Sequence, residues 1–125
     1  MQNFKIYIIA GEASGDILGA KLMDALRSQS IDYMDFHGIG GDRIIGHGLC
    51  SLFPMSDISI MGFAEVIPHI PRVLNRIKQT VADILQVRPD VVITIDSPGF
   101  CCRVAEKLQG KGIKLIHYVA PTVWA

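Results

Sequence analysis

The sequence predicts an α/β fold: a mostly parallel β-sheet with helices packed on both faces. Three observations predict it. Runs rich in β-branched and aromatic residues alternate with segments whose apolar residues recur at helical spacing, along the whole chain. Two of those runs, 4–10 and 90–95, are apolar almost throughout, as strands covered on both faces are. Both stop at a polar, glycine-containing turn that leads toward a helical pattern, the arrangement of a βαβ unit with a right-handed crossover.

The elements follow in order. Residues 4–10 form the first strand. Ile17, Leu18, Ala20, Leu22, Ala25 and Leu26 then mark a helix, which Ser14 or Asp16 is expected to cap and Ser28 and Ser30 to end. Residues 33–37 make a shorter strand. Gly38-Ile39-Gly40-Gly41 is a turn, and Asp42 opens a short helical piece closed by Gly46 and Gly48. Leu52-Phe53 and residues 58–60 are short apolar runs around a polar break. A long apolar-periodic stretch covers 61–87, and Pro68 and Pro71 must break or kink it, because proline lacks the amide and clashes with the preceding turn. Beyond Pro71, Val73, Leu74, Ile77, Val81, Ile84 and Leu85 share one helical face, and Arg88-Pro89 stops the helix. A strand over 90–95, a helix over 103–109 stopped by Gly110 and Gly112, and a strand over 113–119 complete the pattern. The chain reaches Trp124-Ala125 directly after that strand and its Pro121 turn. A parallel edge strand wants a covering helix, so the expectation is the front part of something larger.

Composition bounds the function. The 125 residues are enough for one domain with a buried core. Half of them are hydrophobic and only 19% charged, which leaves apolar surface for a use other than the core. Twelve basic and twelve acidic residues cancel, so there is no basic face for nucleic acid. Cys50, Cys101 and Cys102 form no CxxC pair and read as reduced thiols of a cytosolic protein. His37, His47, His69 and His117 share no ligand spacing, and no metal site is expected. The 4–10 run is too short for a signal peptide, and no apolar run approaches the ~20 residues of a membrane span.

Four features carry chemistry. Gly11-Glu12-Ala13-Ser14-Gly15-Asp16 lies where a buried strand meets a helix, the place where parallel α/β folds bind ligands. Its glycines free the backbone, Glu12 can accept hydrogen bonds from sugar hydroxyls, and the helix N-terminus favours an anion; a plain turn capped by Ser14 is the alternative. Asp96 emerges from an apolar strand at the same kind of junction. Partial burial would raise its pKa toward the range useful for proton abstraction, while an aspartate at this position can also be a helix cap. Gly38-Ile39-Gly40-Gly41-Asp42-Arg43 partly matches a dinucleotide fingerprint, but it follows the second strand and has Arg43 in place of the last glycine. A glycine-rich loop before a short helix is the better reading. In the segment 61–70, Phe63, Val66, Ile67 and Ile70 are apolar anchors in a proline-broken stretch, followed by Arg72, Arg76 and Lys78. That combination suits a membrane interface or an acyl chain.

Four motifs occur in this order: Ala10-Gly11-Glu12-Ala13-Ser14-Gly15-Asp16, Met61-Gly62-Phe63-Ala64-Glu65-Val66, Ile95-Asp96-Ser97-Pro98-Gly99-Phe100, and His117-Tyr118-Val119-Ala120-Pro121-Thr122-Val123-Trp124-Ala125. Together they resemble the amino-terminal portion of lipid-A-disaccharide synthase. The resemblance implies an inverting glycosyltransferase of the GT-B arrangement, with two Rossmann-like halves and no cofactor. Residues 1–125 would be a single acceptor-side Rossmann-like domain, without the donor-binding domain. The substrates implied are a UDP-linked diacylglucosamine and a diacylglucosamine 1-phosphate, joined with release of UDP at the cytoplasmic face of the inner membrane. Asp96 matches the family's proposed general base. Gly11, Glu12, Ser14 and Gly15 match its active-site loop, Met61 and Gly62 a substrate segment, and Phe63, Val66, Ile67 and Ile70 its lipid or membrane contact. Gly99 and Cys101 depart from the aspartate and asparagine of many members, which weakens a supporting network around Asp96 but not Asp96 itself. The UDP-binding residues of the family lie mainly in its second half, so a separately encoded carboxyl-terminal half is an expected partner. A stand-alone nucleotide- or flavin-binding module and a non-catalytic remnant remain the other readings.

Overall fold

A computed structural model describes residues 4–29, 33–59 and 70–118. Five parallel strands, β1 (Phe4–Ala10), β2 (Met34–Ile39), β3 (Cys50–Ser51), β4 (Val91–Ile95) and β5 (Leu115–His117), lie in the order β3-β2-β1-β4-β5. The helices are α1 (Ala13–Gln29), α2 (Asp42–Gly46), α3 (Ser56–Ser59), α4 (Ile70–Val87) and α5 (Pro98–Leu108). The expected parallel α/β sheet is therefore present.

Strand periodicity divides the core in two. Successive side chains of a strand point to opposite faces, so Ile6, Ile8 and Ala10 of β1 join Val91, Ile93 and Ile95 of β4 against Ala20 and Met23 of α1 and Ile44 of α2. Tyr7 and Ile9 join Val92 on the other face, against Val73, Ile77 and Ile84 of α4 and Phe100, Val104 and Leu108 of α5. Tyr7 is fully buried, and its hydroxyl donates to Asp83 Oδ2 of α4 at 2.7 Å. Burial first, then the neighbouring carboxylate, raises its pKa above the ordinary phenol value. Gly38 is required by backbone approach. Its φ is +135°, and a Cβ there would collide with the Ile8 carbonyl of the neighbouring strand. Edge strand β5 is exposed, with Leu115 and Ile116 at 40% and 49%.

Several expectations change in detail. β2 continues to Ile39, so Gly38 belongs to the strand rather than to a turn. α5 begins at Pro98, five residues before the expected start, because a proline at a first helical position loses no hydrogen bond. Pro71 sits in the first turn of α4 for the same reason. Leu74 is 48% exposed and lies off the buried face. Arg76 is not a free basic anchor. It pairs with Asp57 of α3 at 2.6 Å and lies 4.6 Å from the centre of the Phe53 ring. Met61, Gly62, Phe63, Val66 and Ile67 lie outside the described residues, and of Ile70 only the backbone, opening α4, is described.

Candidate functional site

The chain steps outward from β1 through β2 to β3, then returns to the other side of β1 with β4. The carboxyl ends of β1 and β4 thus form a topological switch point, where two loops diverge and leave a crevice. Gly11 and Glu12 follow β1, and Asp96 follows β4, so both acids stand on one sheet edge, as the sequence predicts.

An unusual turn aims Asp96. Asp96 and Ser97 have φ of +55° and +47°, two consecutive residues in the left-handed region that non-glycine residues rarely occupy. This folds the carboxylate back over the β1–α1 loop. Asp96 Oδ1 accepts the Gly11 N–H at 2.9 Å, while Oδ2 is buried with no hydrogen-bond partner among the described residues. Ser97, not Asp96, is the N-cap residue of α5, and it makes no side-chain cap bond. The helix-cap reading of Asp96 therefore does not hold. Desolvation raises the Asp96 pKa; the Gly11 amide, the Ser97 side chain and the Gly15 amide work against this, and the nearby Glu12 charge adds to the rise.

The approach of the two loops explains the glycines. A Cβ on Gly11 would overlap the Ser97 side chain, and one on Gly15 would overlap the Asp96 carboxylate. Both glycines are buried, while Glu12 and Ser14 are exposed at the crevice. Cys101 is buried beside this turn; desolvation, then the Asp96 charge, pushes its thiol up to about 12, so it stays protonated and packs as a small apolar group. Gly15→Ala is expected to favour helix α1 yet displace the carboxylate. Built into a protein that joins this chain to the remaining length of its relatives, Gly15→Ala should lower turnover roughly 100-fold, the cost of a misplaced group, with the circular dichroism spectrum unchanged. Full turnover in this variant would show that the carboxylate position does not matter.

Asp16 was expected at most to cap its own helix. It is instead 6% exposed and reaches across to α2. Its carboxylate accepts the N–H groups of Gly41, Arg43 and Ile44 at 2.9, 3.0 and 3.0 Å. It thereby satisfies the otherwise unpaired amides at the start of α2. In the glycine-rich loop the Gly41 and Arg43 amides are thus held by Asp16 and the Gly40 amide by Ser51 Oγ, which disfavours a cradle for a nucleoside diphosphate. The one sequence signal for this was an acid in the first turn of α1; its partner, 25 to 28 residues away, was not legible. An open cleft of about 810 Å³ lies on the far side of the α1 first turn, lined by Ala13 and Asp16, Gly41 to Arg43 and the loop that includes Met55.

Among the described residues no helix is long and apolar enough to cross a membrane. The model of the lipid-A-disaccharide synthetase family matches residues 6–125. The lipid-A-disaccharide synthase of Paramagnetospirillum magneticum is 52% identical over 122 residues, covering 96% of this chain and 31% of its own length. That of Rhodospirillum centenum is 49% identical, covering 100% of this chain and 32% of its own. That of Pseudomonas aeruginosa is 46% identical over 97% of this chain. The chain thus spans about a third of the length of the curated relatives it matches. Among solved structures, the glycosyltransferase SnogD from Streptomyces nogalater superposes with a TM-score of 0.60 over 94% of this chain and 33% of its own, at 18% identity. At that identity the likeness shows a shared Rossmann-like α/β fold.

Proposed function

The chain belongs to the lipid-A-disaccharide synthetase family, and on that premise we propose that it forms the acceptor side of a glycosyltransferase of lipid A biosynthesis. The reaction joins a UDP-linked diacylglucosamine to a diacylglucosamine 1-phosphate. An acceptor hydroxyl oxygen attacks the anomeric carbon, the bond to UDP breaks, and UDP leaves with the electron pair. The hydroxyl proton passes to Asp96, and the anomeric configuration inverts.

One observation carries this reading. Asp96 stands at the switch point with one oxygen held by the Gly11 amide and the other unpaired, in an environment that raises its pKa. A general base needs a fixed position, a free lone pair and a pKa moved toward the working pH. Glu12 and Ser14, exposed beside it, are suited to sugar hydroxyls. Met61 and Gly62 would extend that contact, and Phe63, Val66, Ile67 and Ile70 would rest against acyl chains at the inner-membrane surface, making the protein peripheral on the cytoplasmic face. The donor-binding half, carried by the remainder of the relatives or by a separate chain, would supply UDP recognition.

Each half of such a cleft orients one substrate, and holding both together accounts for much of the rate. The 125-residue chain incubated with both lipid substrates should therefore release no UDP. A chimera extending it with the remaining two-thirds of the Rhodospirillum centenum relative should form disaccharide. Disaccharide and UDP accumulating over many turnovers with the short chain alone would overturn this division of labour.

A further inference from the structure

The cleft across the first turn of α1 from Asp96 is not accounted for by the transfer chemistry. Resting on the sugar-transfer reading above, we propose that it holds the phosphate-bearing end of the acceptor, with the Arg43 guanidinium binding the phosphate. The cleft is walled by the carboxyl-end loops of β1, β2 and β3, with Ala13, Arg43, Leu52, Pro54, Met55 and Ser56 in its lining. The β1–α1 loop and the first turn of α1 separate the Asp96 turn from the cleft. Gly11 and Gly15 face Ser97 and Asp96, while Ala13 and Asp16 line the cleft. An acceptor whose hydroxyl reaches Asp96 crosses only this one turn, a helix being about 10 Å across, to enter the cleft.

Of the charged groups in the lining, Asp16, Asp42 and Arg43, the one cation is the group suited to a phosphate. The Asp16 carboxylate also lines the cleft, but three backbone amides already hold it. Arg43 uses its backbone, donating to Asp16 and accepting from His47, whereas its guanidinium has no partner among the described residues. A guanidinium presents a planar fork of donors that matches a phosphate. Leu52, Pro54 and Met55 supply apolar surface for the first carbons of an acyl chain, with methionine adapting to an irregular fit. A nucleoside diphosphate is disfavoured, since Asp16 and Ser51 hold the Gly40, Gly41 and Arg43 amides. Asp42, on the same lining, opposes the phosphate and limits the affinity.

The test titrates the 125-residue chain in detergent micelles, by calorimetry, with diacylglucosamine 1-phosphate and with dephosphorylated diacylglucosamine. Unacylated glucosamine 1-phosphate and inorganic phosphate form two further arms. The phosphorylated lipid should bind roughly tenfold tighter than the dephosphorylated one, the worth of a partly exposed charge-assisted contact. Arg43→Ala should erase that preference, Arg43→Lys keep part of it and Asp42→Asn enlarge it; the unacylated and inorganic arms should bind far more weakly. A preference indifferent to Arg43 overturns the subsite while leaving sugar transfer intact. Inorganic phosphate bound as well as the lipid overturns the apolar share of the cleft. Failure of both acylated glucosamines to bind overturns the sugar-transfer reading, and the subsite with it.

Discussion

Asp96→Asn is expected to lower turnover by a factor of roughly 100 to 10,000, the usual worth of a general base, when assayed in the chimera that carries the donor-binding portion. The amide keeps the shape of the carboxylate, and its oxygen can still accept the Gly11 N–H, so acceptor affinity should change little. The same variant tests the electrostatics. The folded state raises the Asp96 pKa, so the native protein holds this proton at pH values where the unfolded chain has lost it. Stability attributable to Asp96 is therefore highest at low pH and declines as pH rises from the ordinary carboxylate range through the raised folded value. Above that value wild type bears the full cost of a half-buried charge next to Glu12, and Asp96→Asn does not. At neutral pH Asp96→Asn should thus be at least as resistant to urea as wild type, with a flatter pH profile of its unfolding midpoint. Near-normal turnover would exclude proton abstraction by Asp96, and a variant less stable than wild type at pH 7 would contradict the desolvation argument.

The second large effect is on stability. Asp16→Ala strips three backbone amides of their acceptor in a buried place. Hydrogen bonds to a charged group and a lost cap together make this cost about 2–4 kcal/mol. Urea denaturation should show the midpoint falling with little change in slope. Asp16→Asn, which keeps one acceptor oxygen, should recover part of the loss. A wild-type midpoint in Asp16→Ala would mean that water replaces the carboxylate without penalty, and that the α1–α2 junction does not depend on it.

Much of the fold was legible because the signals are local. Ile6 to Ala10 and Val91 to Ile95 are runs of apolar and β-branched residues, which a sheet covered on both faces buries, and they lie in the strands β1 and β4. Val73, Ile77 and Ile84 recur at helical spacing and are the buried stripe of α4. The early start of α5 was missed although its marker, Pro98, was visible. Gly99, Phe100 and Cys101 show no polar alternation, so the proline read as a stiffened turn rather than a first helical residue.

By itself the sequence determined that strands alternate with helices, that the sheet is parallel, and that Glu12 and Asp96 follow strands and so lie on one edge. Each follows from a repeat of two or 3.6 residues within a short window, where neighbours in sequence are neighbours in space. The tertiary structure alone decided what those residues touch. Gly11 and Gly15 are glycines because a left-handed turn some 80 residues later presses Ser97 and Asp96 against them. Asp16 serves the helix beginning at Asp42, not its own. Arg76 pairs with Asp57 on another element. No periodicity encodes such pairings, because burial and a few hydrogen bonds between distant segments select them only once the sheet has brought those segments together.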